Sequence, residues 1–584
     1  MRLTRAGIAL LIFLVVACPL LSLATYAGLT RTTIGPFRFG LTATATGSGL
    51  PVALPTATSV TGAAGGVSGT TTPRAIISNT TPTPIRNLGV VPLTPSAAAS
   101  AAASVAPLPT ATAVRPGASA APATPLTVAY DTYAPYFPVR IAETEGYYKA
   151  RNLAVKQVPF GLNGNDYNEE ARRKALRDGT FDVLLTTLDS VALFGDDQTG
   201  KVVAIVDESA GADKIVARAP IARLNDLKGK RIAYSQGSVG EFYLYATLNL
   251  VGLKASDVQL RPTDSVDTAV DLFVKNQVDA VVGWEPVIQA ALDSGGKVLL
   301  GSDNYRAILD VVVVSTKALA TKPAAVQAFL DAWFAAVKLT TDDPQRAGEA
   351  VVKSGDTAWT GIAKPSDFAD ALGLVAQATL GQNAFALREP GLLANRLNEI
   401  RSVWTAGGKQ LATVDTTKLL DGGLVQKSAA QGNLDSAKAP VNPSFVLTSK
   451  IALPQLTPEQ IGQTQAVAEL PLKQIAFGEN SAVLTEQGRK DLLFQVVPVL
   501  KQTPGFYLRV DVSVAQLSGD APQENERLAR SRAQAVISFL IGQGIDGNRL
   551  IEGYAKPQFP NSPNEAELVQ DRRVIFTLVQ PGGR

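Results

Sequence analysis

The sequence predicts an α/β architecture with mainly parallel sheets, and three observations support it. From residue 126 onward, short apolar stretches alternate with amphipathic ones, as in "LTVAY" followed by "FPVRIAETEGYYKA". "DYNEEARRKALRDG" is typical of a helix that ends at Gly179, and "FDVLLTT" after it is typical of a buried strand. A similar helix–turn–strand unit returns at "LFVKNQVDAVVGW", which indicates either two similar lobes or two ordinary αβ units. Alternation of this kind favours parallel strands covered by helices.

Length and composition limit the possible functions. A chain of 584 residues is too long for one hydrophobic core, so we expect two or three domains joined by linkers. Its 54 basic and 51 acidic residues leave no excess of cations for binding the backbone of a nucleic acid. The chain has no histidine, which excludes Ser-His and Cys-His nucleophile pairs and histidine metal ligands. No spacing of the other reactive residues indicates an enzyme, and we expect no cofactor.

Residues 1–29 predict a membrane-targeting segment. Arg2 and Arg5 precede an uncharged run over residues 6–29, close to the roughly 20 residues that span a bilayer. We expect a signal anchor with its basic end inside, which holds the folded domains at the membrane on the extracytoplasmic side. The alternative is a lipoprotein signal, because "VVAC" resembles a lipobox whose cysteine, Cys18, would be acylated. Since Cys18 is the only cysteine, no intrachain disulfide can form.

Residues 30–125 predict a disordered linker. Between residues 41 and 125 the composition narrows to Ala, Thr, Pro, Ser and Gly, and Arg74, Arg86 and Arg115 are the only charged residues. Such a segment cannot bury enough apolar surface to offset the entropy lost on ordering. We therefore expect it to hold the folded part of the chain away from the membrane.

The stretch "GKRIAYSQGSVGEFYLYATLNLVGL" predicts a strand, a turn of small residues and a helix. Gly237 and Gly240 allow backbone amides to converge at the helix N-terminus, where an anion or a ligand oxygen is stabilised. A turn of this kind also serves as a simple helix cap. It is not a phosphate-binding P-loop, because the Gly-Lys-Ser/Thr ending is missing.

Residues 126–425 resemble the type II periplasmic solute-binding proteins of the nitrate/sulfonate/taurine (NMT1/THI5-like) class of ABC importers. The resemblance is carried by "TEGYYKARNLAVKQV", "ALRDGTFDVLLTTLDS", "DESAGADKIVAR", "LKGKRIAYSQGSVGEFYL" and "VDAVVGWEP", which follow the order of the family. It implies a small-molecule solute, a partner ABC permease and two α/β lobes joined by two crossover strands. We expect lobe 1 at about 126–217 and 310–425, and lobe 2 at about 218–309. A pyrimidine synthase of the same fold consumes a histidine and is therefore excluded.

The resemblance also implies a set of ligand-binding residues from both lobes and the hinge. They are Asp131, Tyr133, Tyr136, Thr187, Asp189, Ser209, Asp213, Ser235, Ser238, Val239, Trp284 and Glu285. Because these side chains are mostly acidic, hydroxylic or aromatic, they favour a zwitterionic or amine-bearing ligand over a bare anion. Arg140 or Arg218, if turned inward, would favour an anion instead.

After a linker at residues 426–468, the chain from residue 469 to 584 predicts a second α/β domain. Its stretches "FYLRVDVSV", "NERLARSRAQAVISFLIGQGI" and "DRRVIFTLV" resemble the peptidoglycan-associating domain of OmpA, Pal and MotB proteins. The resemblance implies a βαβαβ fold with a mixed sheet. Alternation of Leu508, Val510, Val512 and Val514 predicts a half-buried strand.

The helix "NERLARSRAQAVISFL" contains the predicted peptidoglycan-binding residue. Leu528, Arg532, Ala535 and Phe539 follow helical spacing, so Arg532 is predicted to interrupt an apolar stripe. The resemblance implies that Arg532 binds the carboxylate of the diamino acid in the cell wall. Leu517 stands where the family has an aspartate for the ammonium group, and Asp520 is the candidate to replace it.

Together these features predict a non-enzymatic, envelope-tethered receptor that captures a small solute and associates with peptidoglycan. The alternative is a structural or sensory protein of the cell envelope, whose binding domain no longer serves transport.

Overall fold

A computed structural model describes residues 124–582, apart from residues 161–168, 197, 356, 389, 432–450 and 473. The predicted anchor or lipoprotein signal, Cys18 and nearly all of the linker at residues 30–125 lie outside the described residues. Of the chain's two units, Met1–Thr112 and Ala113–Arg584, the second contains everything described below. Within that part of the chain, no helix is both long enough and apolar enough to cross a bilayer.

The first sheet has six strands and forms the centre of the first lobe. They are β1 (Thr124–Tyr130), β2 (Leu153–Pro159), β3 (Val183–Thr187), β4 (Gly200–Ser209), β10 (Leu309–Ser315) and β11 (Val375–Gln377). The order across the sheet is β11-β4-β10-β3-β1-β2. β1 is parallel to β2 and β3, whereas β10 is antiparallel to β3 and β4. The strands β3 and β10 are buried along their whole length, as expected of apolar runs covered on both faces.

The second sheet has five strands and forms the centre of the second lobe. They are β5 (Asp213–Ala217), β6 (Arg231–Ser235), β7 (Gln259–Thr263), β8 (Ala280–Trp284) and β9 (Lys297–Gly301), in the order β7-β6-β8-β5-β9. The chain therefore crosses between the sheets twice, at residues 210–212 and 302–308. We call these two crossing segments the hinge. The second sheet starts at β5, a few residues before the predicted lobe boundary at 217.

Fourteen α-helices accompany these two sheets within the described residues. They are α1 (Pro138–Thr144), α2 (Glu169–Asp178), α3 (Leu188–Phe194), α4 (Val239–Leu250), α5 (Val266–Val274), α6 (Gln289–Asp293), α7 (Thr316–Thr321), α8 (Pro323–Asp342), α9 (Pro344–Lys353), α10 (Thr357–Thr360), α11 (Pro365–Leu372), α12 (Leu380–Ala386), α13 (Pro390–Ala406) and α14 (Gly423–Ala430). Several start at a hydroxyl side chain that accepts a backbone N–H, as Ser265 does for α5 and Ser315 for α7.

The C-terminal domain has a four-stranded mixed sheet. Its elements are α15 (Pro458–Gly462), β12 (Gln465–Glu469), α16 (Glu486–Asp491), α17 (Val497–Gln502), β13 (Tyr507–Ser513), α18 (Pro522–Gly542), β14 (Leu550–Tyr554), α19 (Glu565–Asp571) and β15 (Arg573–Gln580). A π-helical turn at Leu492–Val496 joins α16 to α17. The sheet order is β12-β15-β13-β14, and from β12 to β15 the chain is one αβ unit longer than the predicted βαβαβ.

Burial in this domain confirms one predicted pattern and corrects another. In β13, Leu508 and Val510 are fully buried as predicted. In α18 the buried residues are Ala529, Ala533, Val536, Ile537 and Leu540, so the buried stripe is shifted by one residue from the predicted one. The predicted row of Leu528, Arg532, Ala535 and Phe539 is half-buried instead. Arg532 lies beside the stripe and is half-buried, where its charged group can reach the domain surface.

The C-terminal domain packs against both lobes. The side-chain oxygen of Asn225 in lobe 2 accepts from the backbone N–H of Glu469 at 2.9 Å. Gln502 donates to the carboxylate of Glu399 on α13 of lobe 1, at 3.4 Å. A groove of about 490 Å³ runs between α4, α13 and the segment around the π-helical turn.

Candidate functional site

A cavity of about 40 Å³ lies between the two lobes, and we call it the interlobe cavity. Both sheets and the hinge contribute to its wall. The lining residues are Asp131, Tyr133, Tyr136, Thr187, Asp213, Val239, Trp284, Ile308 and Asp310. Because a ligand in this position would contact both lobes, it would favour their closed arrangement.

The loop after β1 supplies one side of the interlobe cavity. The carboxylate of Asp131 accepts from the backbone N–H of Tyr133 at 3.1 Å and pairs with Arg172 at 3.4 Å. Tyr133 and Tyr136 meet edge to face, with ring centroids 5.2 Å apart. A 3₁₀ turn at Ala134–Tyr136, with Pro135 near its start, fixes this spacing.

Two buried carboxyl groups accept hydrogen bonds from these tyrosines. Asp207 on β4 and Asp310 on β10 are cross-strand neighbours, and both are at least 97% buried. The hydroxyl of Tyr133 donates to Asp207 at 3.3 Å, and that of Tyr136 donates to Asp310. Burial raises the pKa of both carboxyls well above its ordinary value, and the charge of Asp207 raises that of Asp310 further. Burial therefore favours the neutral form of both carboxyls.

The hinge supplies a third carboxyl and a hydroxyl network. Ser209 Oγ donates to Asp213 Oδ2 at 2.6 Å. Ser302 Oγ accepts from the backbone N–H groups of Gly211 and Asp213, at 2.8 and 3.1 Å, and lies 2.8 Å from Ser209 Oγ. Burial raises the pKa of Asp213 to about 6, although Ser209 and Lys214 oppose the shift. Asp213 thus connects the cavity wall to both crossing segments.

Two amides of the glycine turn before α4 are bonded to side chains of the turn and of the helix. Ser238 Oγ accepts from the N–H of Gly240 at 3.1 Å and donates to the carbonyl of Ser235 at 2.8 Å. Glu241 Oε2 accepts from the N–H of Gly237, which has a positive φ of 72°, at 2.7 Å. Of this turn and the first residue of α4, only Val239 lines the cavity. The turn therefore acts as a helix cap, and Ser235 and Ser238 are not part of the cavity wall.

The other predicted residues divide between the cavity and its surroundings. Thr187 lines the cavity and caps α3, donating to Ser190 Oγ at 3.0 Å. Trp284, at the end of β8, lines the opposite side. Asp189 on α3 is buried away from the lining, and Glu285 pairs with Lys214 at 2.7 Å instead of facing the cavity.

Arg140 and Arg218, which the sequence allowed as anion-binding residues, do not line the interlobe cavity. Arg140 donates to Ser354 Oγ at 3.2 Å, and Arg218 lies over the ring of Phe273 at 4.1 Å. The sequence patterns did not predict the roles of Asp207, Asp310 and Ile308 in or beside the cavity. The available signal was the aspartate near one end of each of the buried strands "GKVVAIVDES" and "LDVVVVS". Because burying a carboxyl group is costly, an aspartate in a buried strand indicates a specific role.

A second candidate site lies in the C-terminal domain, and we call it the arginine pocket. It has a volume of about 690 Å³ and is lined by Ile475, Phe477, Gly478, Glu479, Asn480, Val512, Ser513, Val514, Ala515, Leu517, Asp520, Asn525, Leu528, Arg532, Arg572, Arg573 and Val574. Arg532 Nε donates to the carbonyl of Ser481 at 2.9 Å, and its guanidinium lies 4.9 Å from the Phe477 ring centroid. Burial lowers the pKa of Arg532 below its ordinary value.

Leu517 and Asp520 lie in the same pocket wall. Asp520 Oδ2 accepts from the backbone N–H of Leu517 at 2.8 Å and from Asn525 at 3.2 Å. These bonds lower the pKa of Asp520, so it stays ionised. Both bonds go to Oδ2, so Asp520 is held in the pocket wall by one of its two carboxylate oxygens.

One part of the chain matches a known family. Residues 135–347 match the family described as NMT1/THI5 like. The chain is 34% identical to a predicted binding protein of Brucella abortus over 91 residues, which is 15% of this chain and 28% of the relative. It is 32% identical to a predicted aliphatic sulfonates-binding protein of Escherichia coli K12, over 17% of this chain and 35% of the relative. The matched segments thus span about a third of these relatives or less.

Solved structures give broader but more distant matches. The periplasmic aliphatic sulphonate-binding protein SsuA of Escherichia coli is 20% identical, covers 52% of this chain and 98% of its own, and gives a TM-score of 0.41. The periplasmic nitrate-binding protein NrtA of Synechocystis PCC 6803 is 12% identical over 55% of this chain and 92% of its own, with a TM-score of 0.42. The desulfurization enzyme DSZB is 15% identical over 53% of this chain and 99% of its own, with a TM-score of 0.35.

Proposed function

We propose that this protein is an extracytoplasmic solute-binding receptor that delivers a small solute to an ABC importer. The observation that carries the proposal is the interlobe cavity, whose wall is built by two separate sheets and by the hinge between them. The NMT1/THI5-like match over residues 135–347 and the binding-protein names of the relatives support it.

Capture would follow from the construction of the hinge. A solute held by Tyr133 and Tyr136 on one side and Trp284 on the other favours closed lobes, since each lobe supplies part of its binding energy. Closure bends residues 210–212 and 302–308, where Ser209, Asp213 and Ser302 are linked by hydrogen bonds. A permease would then distinguish the closed receptor from the open one. No bond in the solute is made or broken.

Thermal unfolding of the full chain in detergent micelles tests this proposal. The ligands are nitrate, bicarbonate, alkylsulfonates, alkylamines and pyrimidines. A solute at 100 times its dissociation constant stabilises a one-site receptor by about 2.7 kcal/mol. We expect saturable stabilisation by one class, and its loss in Trp284→Ala. Val298→Ala, at an exposed position outside the cavity, is the matched control. If no solute of the panel stabilises the protein, the proposed receptor function is wrong.

We further propose that the N-terminus holds the receptor at the cell membrane. The uncharged run at residues 6–29 behind Arg2 and Arg5 supports a signal anchor, and Cys18 supports the lipoprotein alternative. Fractionation of cells that express the full chain tests the attachment. Labelling with a radioactive fatty acid, with Cys18→Ala as control, separates the two modes.

The arginine pocket supports a further proposal, that the C-terminal domain associates with peptidoglycan. Arg532, Arg572 and Arg573 give the pocket cationic groups for a carboxylate. Co-sedimentation of the full chain with purified peptidoglycan tests this. We expect Arg532→Ala to reduce binding, whereas Arg530→Ala, which removes an exposed arginine paired with Glu526 on the same helix, should not. Equal binding by both variants would exclude Arg532.

A second candidate function is sensory. The C-terminal domain touches the hinge as well as both lobes, through Asn304 and Arg306, which favours a protein that reports solute occupancy to the cell envelope. Solute uptake in cells that lack the protein separates the two functions. Lost uptake supports the importer receptor, and normal uptake with an altered envelope response supports the sensor.

A further inference from the structure

The charges of the interlobe cavity and its surroundings are not balanced within the protein. Asp131 is paired with Arg172, and Glu285 with Lys214. Asp207, Asp213 and Asp310 have no Lys or Arg partner within ion-pair distance among the described residues. The described residues that line the cavity include no lysine or arginine. A bare anion there would meet carboxyls and no countercharge, which disfavours it.

A second observation also points to a missing donor. Asp207 Oδ2 is fully buried and has no hydrogen-bond partner among the residues that the structure describes, while Oδ1 accepts from Tyr133. Buried polar atoms are paired in the large majority of cases, so an orphan acceptor next to a cavity-lining tyrosine indicates a proton or a ligand donor at this position. Tyr133, Tyr136 and Trp284 add aromatic rings to the cavity wall, and such rings attract cations.

We infer, on the basis of the proposed function, that the solute carries a cationic amine group, which enters the cavity between Asp310, Asp213 and the aromatic rings. The volume of 40 Å³ is space for about three water molecules, so the group is small and of the primary ammonium type. The remainder of the solute extends toward the opening between the lobes. An amine there supplies the missing countercharge for the carboxyls of Asp213 and Asp310, both of which line the cavity.

The release or uptake of protons on binding depends on the sign of the ligand charge. Burial raises the pKa of Asp207 and Asp310, and an entering cation would lower it, so cation binding favours proton release. An entering anion would raise it further and take protons up. The titratable and charged groups that surround this pair are Asp131, Tyr133, Tyr136, Glu208, Asp213 and Lys214.

Three matched solutes test the inference on the full chain. Ethylammonium carries the cation alone, ethanesulfonate the anion alone, and taurine both groups on the same two-carbon frame. Binding is measured by calorimetry, and proton exchange by pH-stat titration in unbuffered salt at pH 7. We expect ethylammonium and taurine to bind with proton release and ethanesulfonate to be at least about 10-fold weaker than taurine.

The outcomes separate this inference from the proposed function. Equal binding of taurine and ethanesulfonate, or proton uptake, overturns the amine assignment but leaves a receptor. No binding of any of the three, together with silence in the wider panel, overturns both. Asp310→Asn is expected to weaken ethylammonium binding about 10-fold or more, whereas Asp271→Asn, at an exposed pair on α5, leaves it unchanged. If Asp310→Asn leaves the affinity unchanged while its melting temperature stays that of the parent, the assignment is wrong.

Discussion

The backbone N–H of Arg306 donates a hydrogen bond of 2.7 Å to the carbonyl of Gln502, and so joins the hinge to the C-terminal domain. Residues 302–308 carry the chain back from lobe 2 to lobe 1, and Gln502 ends α17. The same domain touches lobe 2 at Asn225 and lobe 1 at Glu399. Any rotation of one lobe against the other must therefore strain or break at least one of these contacts.

Gly505 is the position at which this docking is most easily disturbed. A Cβ atom at Gly505 would lie 2.1 Å from the side-chain oxygen and 3.0 Å from the Cα atom of Asn304 in the hinge. We expect Gly505→Val to separate the C-terminal domain from the hinge and to accelerate amide hydrogen exchange at Arg306 and its neighbours.

Hydrogen exchange followed by mass spectrometry of peptides over residues 301–309 checks this prediction. Gly542→Val is the control, because a Cβ at Gly542 would meet no atom within 4 Å. Unchanged protection of the hinge in Gly505→Val would show that the contact does not restrain it.

Asp213 should make the empty protein more stable in mild acid. Its pKa is raised from 3.8 to about 6 by burial, so the folded state binds more protons than the unfolded state between these values. Stability from this group is therefore lost as the pH rises from about 4 to 6, by up to about 3 kcal/mol for a shift of roughly 2 units. Urea unfolding at pH 5, 6 and 7.5 measures the effect, and Asp213→Asn should flatten it.

Ser209→Ala gives a directional check of the same prediction. The hydroxyl of Ser209 donates to Asp213 and lowers its pKa, so its removal should move the loss of stability to higher pH. The surrounding charges of Lys214, Asp207 and Asp310 stay in place. A shift to lower pH in Ser209→Ala would contradict this account of Asp213.

Arg306 and Glu208 form an ion pair beside the hinge in which both side chains are at least 97% buried. Burial raises the pKa of Glu208 to about 7, even though Arg306 opposes the shift. Arg306→Met leaves Glu208 without its partner and should cost about 3–5 kcal/mol of unfolding free energy while Glu208 is charged. Since protonation relieves the penalty, the cost should be larger at pH 8 than at pH 6.

Urea unfolding of Arg306→Met at both pH values measures this difference. The double variant Arg306→Met/Glu208→Gln removes the charge and should recover part of the lost stability at pH 8. An equal cost at pH 6 and pH 8 would mean that Glu208 does not take up the proton.

Sequence analysis found the parts of the interlobe cavity that follow strand ends. The loop after β1 carries Asp131, Tyr133 and Tyr136, and Trp284 ends β8. These positions could be predicted because the ends of strands in such sheets meet at the cleft. Asp310 was missed because it lies inside an apolar strand, and only its pairing with Asp207 on β4 reveals its position. That pairing joins residues about a hundred positions apart, which no local pattern encodes.

Two further differences have local physical causes. Ser235 and Ser238 looked like ligand donors, but neither lines the interlobe cavity, and two amides of their turn are bonded to Ser238 and Glu241. In α18 the predicted spacing of the apolar residues was correct, but the buried residues lie one position later in the chain than predicted. Leu528 and Ala529 are adjacent apolar residues, and only packing against the sheet decides which of them is buried.

Leu517 lies in the wall of the arginine pocket, 45% exposed, and offers a gain-of-function prediction. Peptidoglycan diamino acids present an ammonium as well as a carboxylate, and an apolar side chain leaves that ammonium without an acceptor. We expect Leu517→Asp to strengthen co-sedimentation with peptidoglycan about 10-fold, as a charge-assisted hydrogen bond would. Arg532→Ala in the same background should cancel the gain, because the two side chains would hold opposite ends of one group.

Val569→Asp adds the same charge at an exposed site outside the pocket and should change nothing. A gain in Val569→Asp equal to that in Leu517→Asp would mean that net charge, and not the pocket, governs the association.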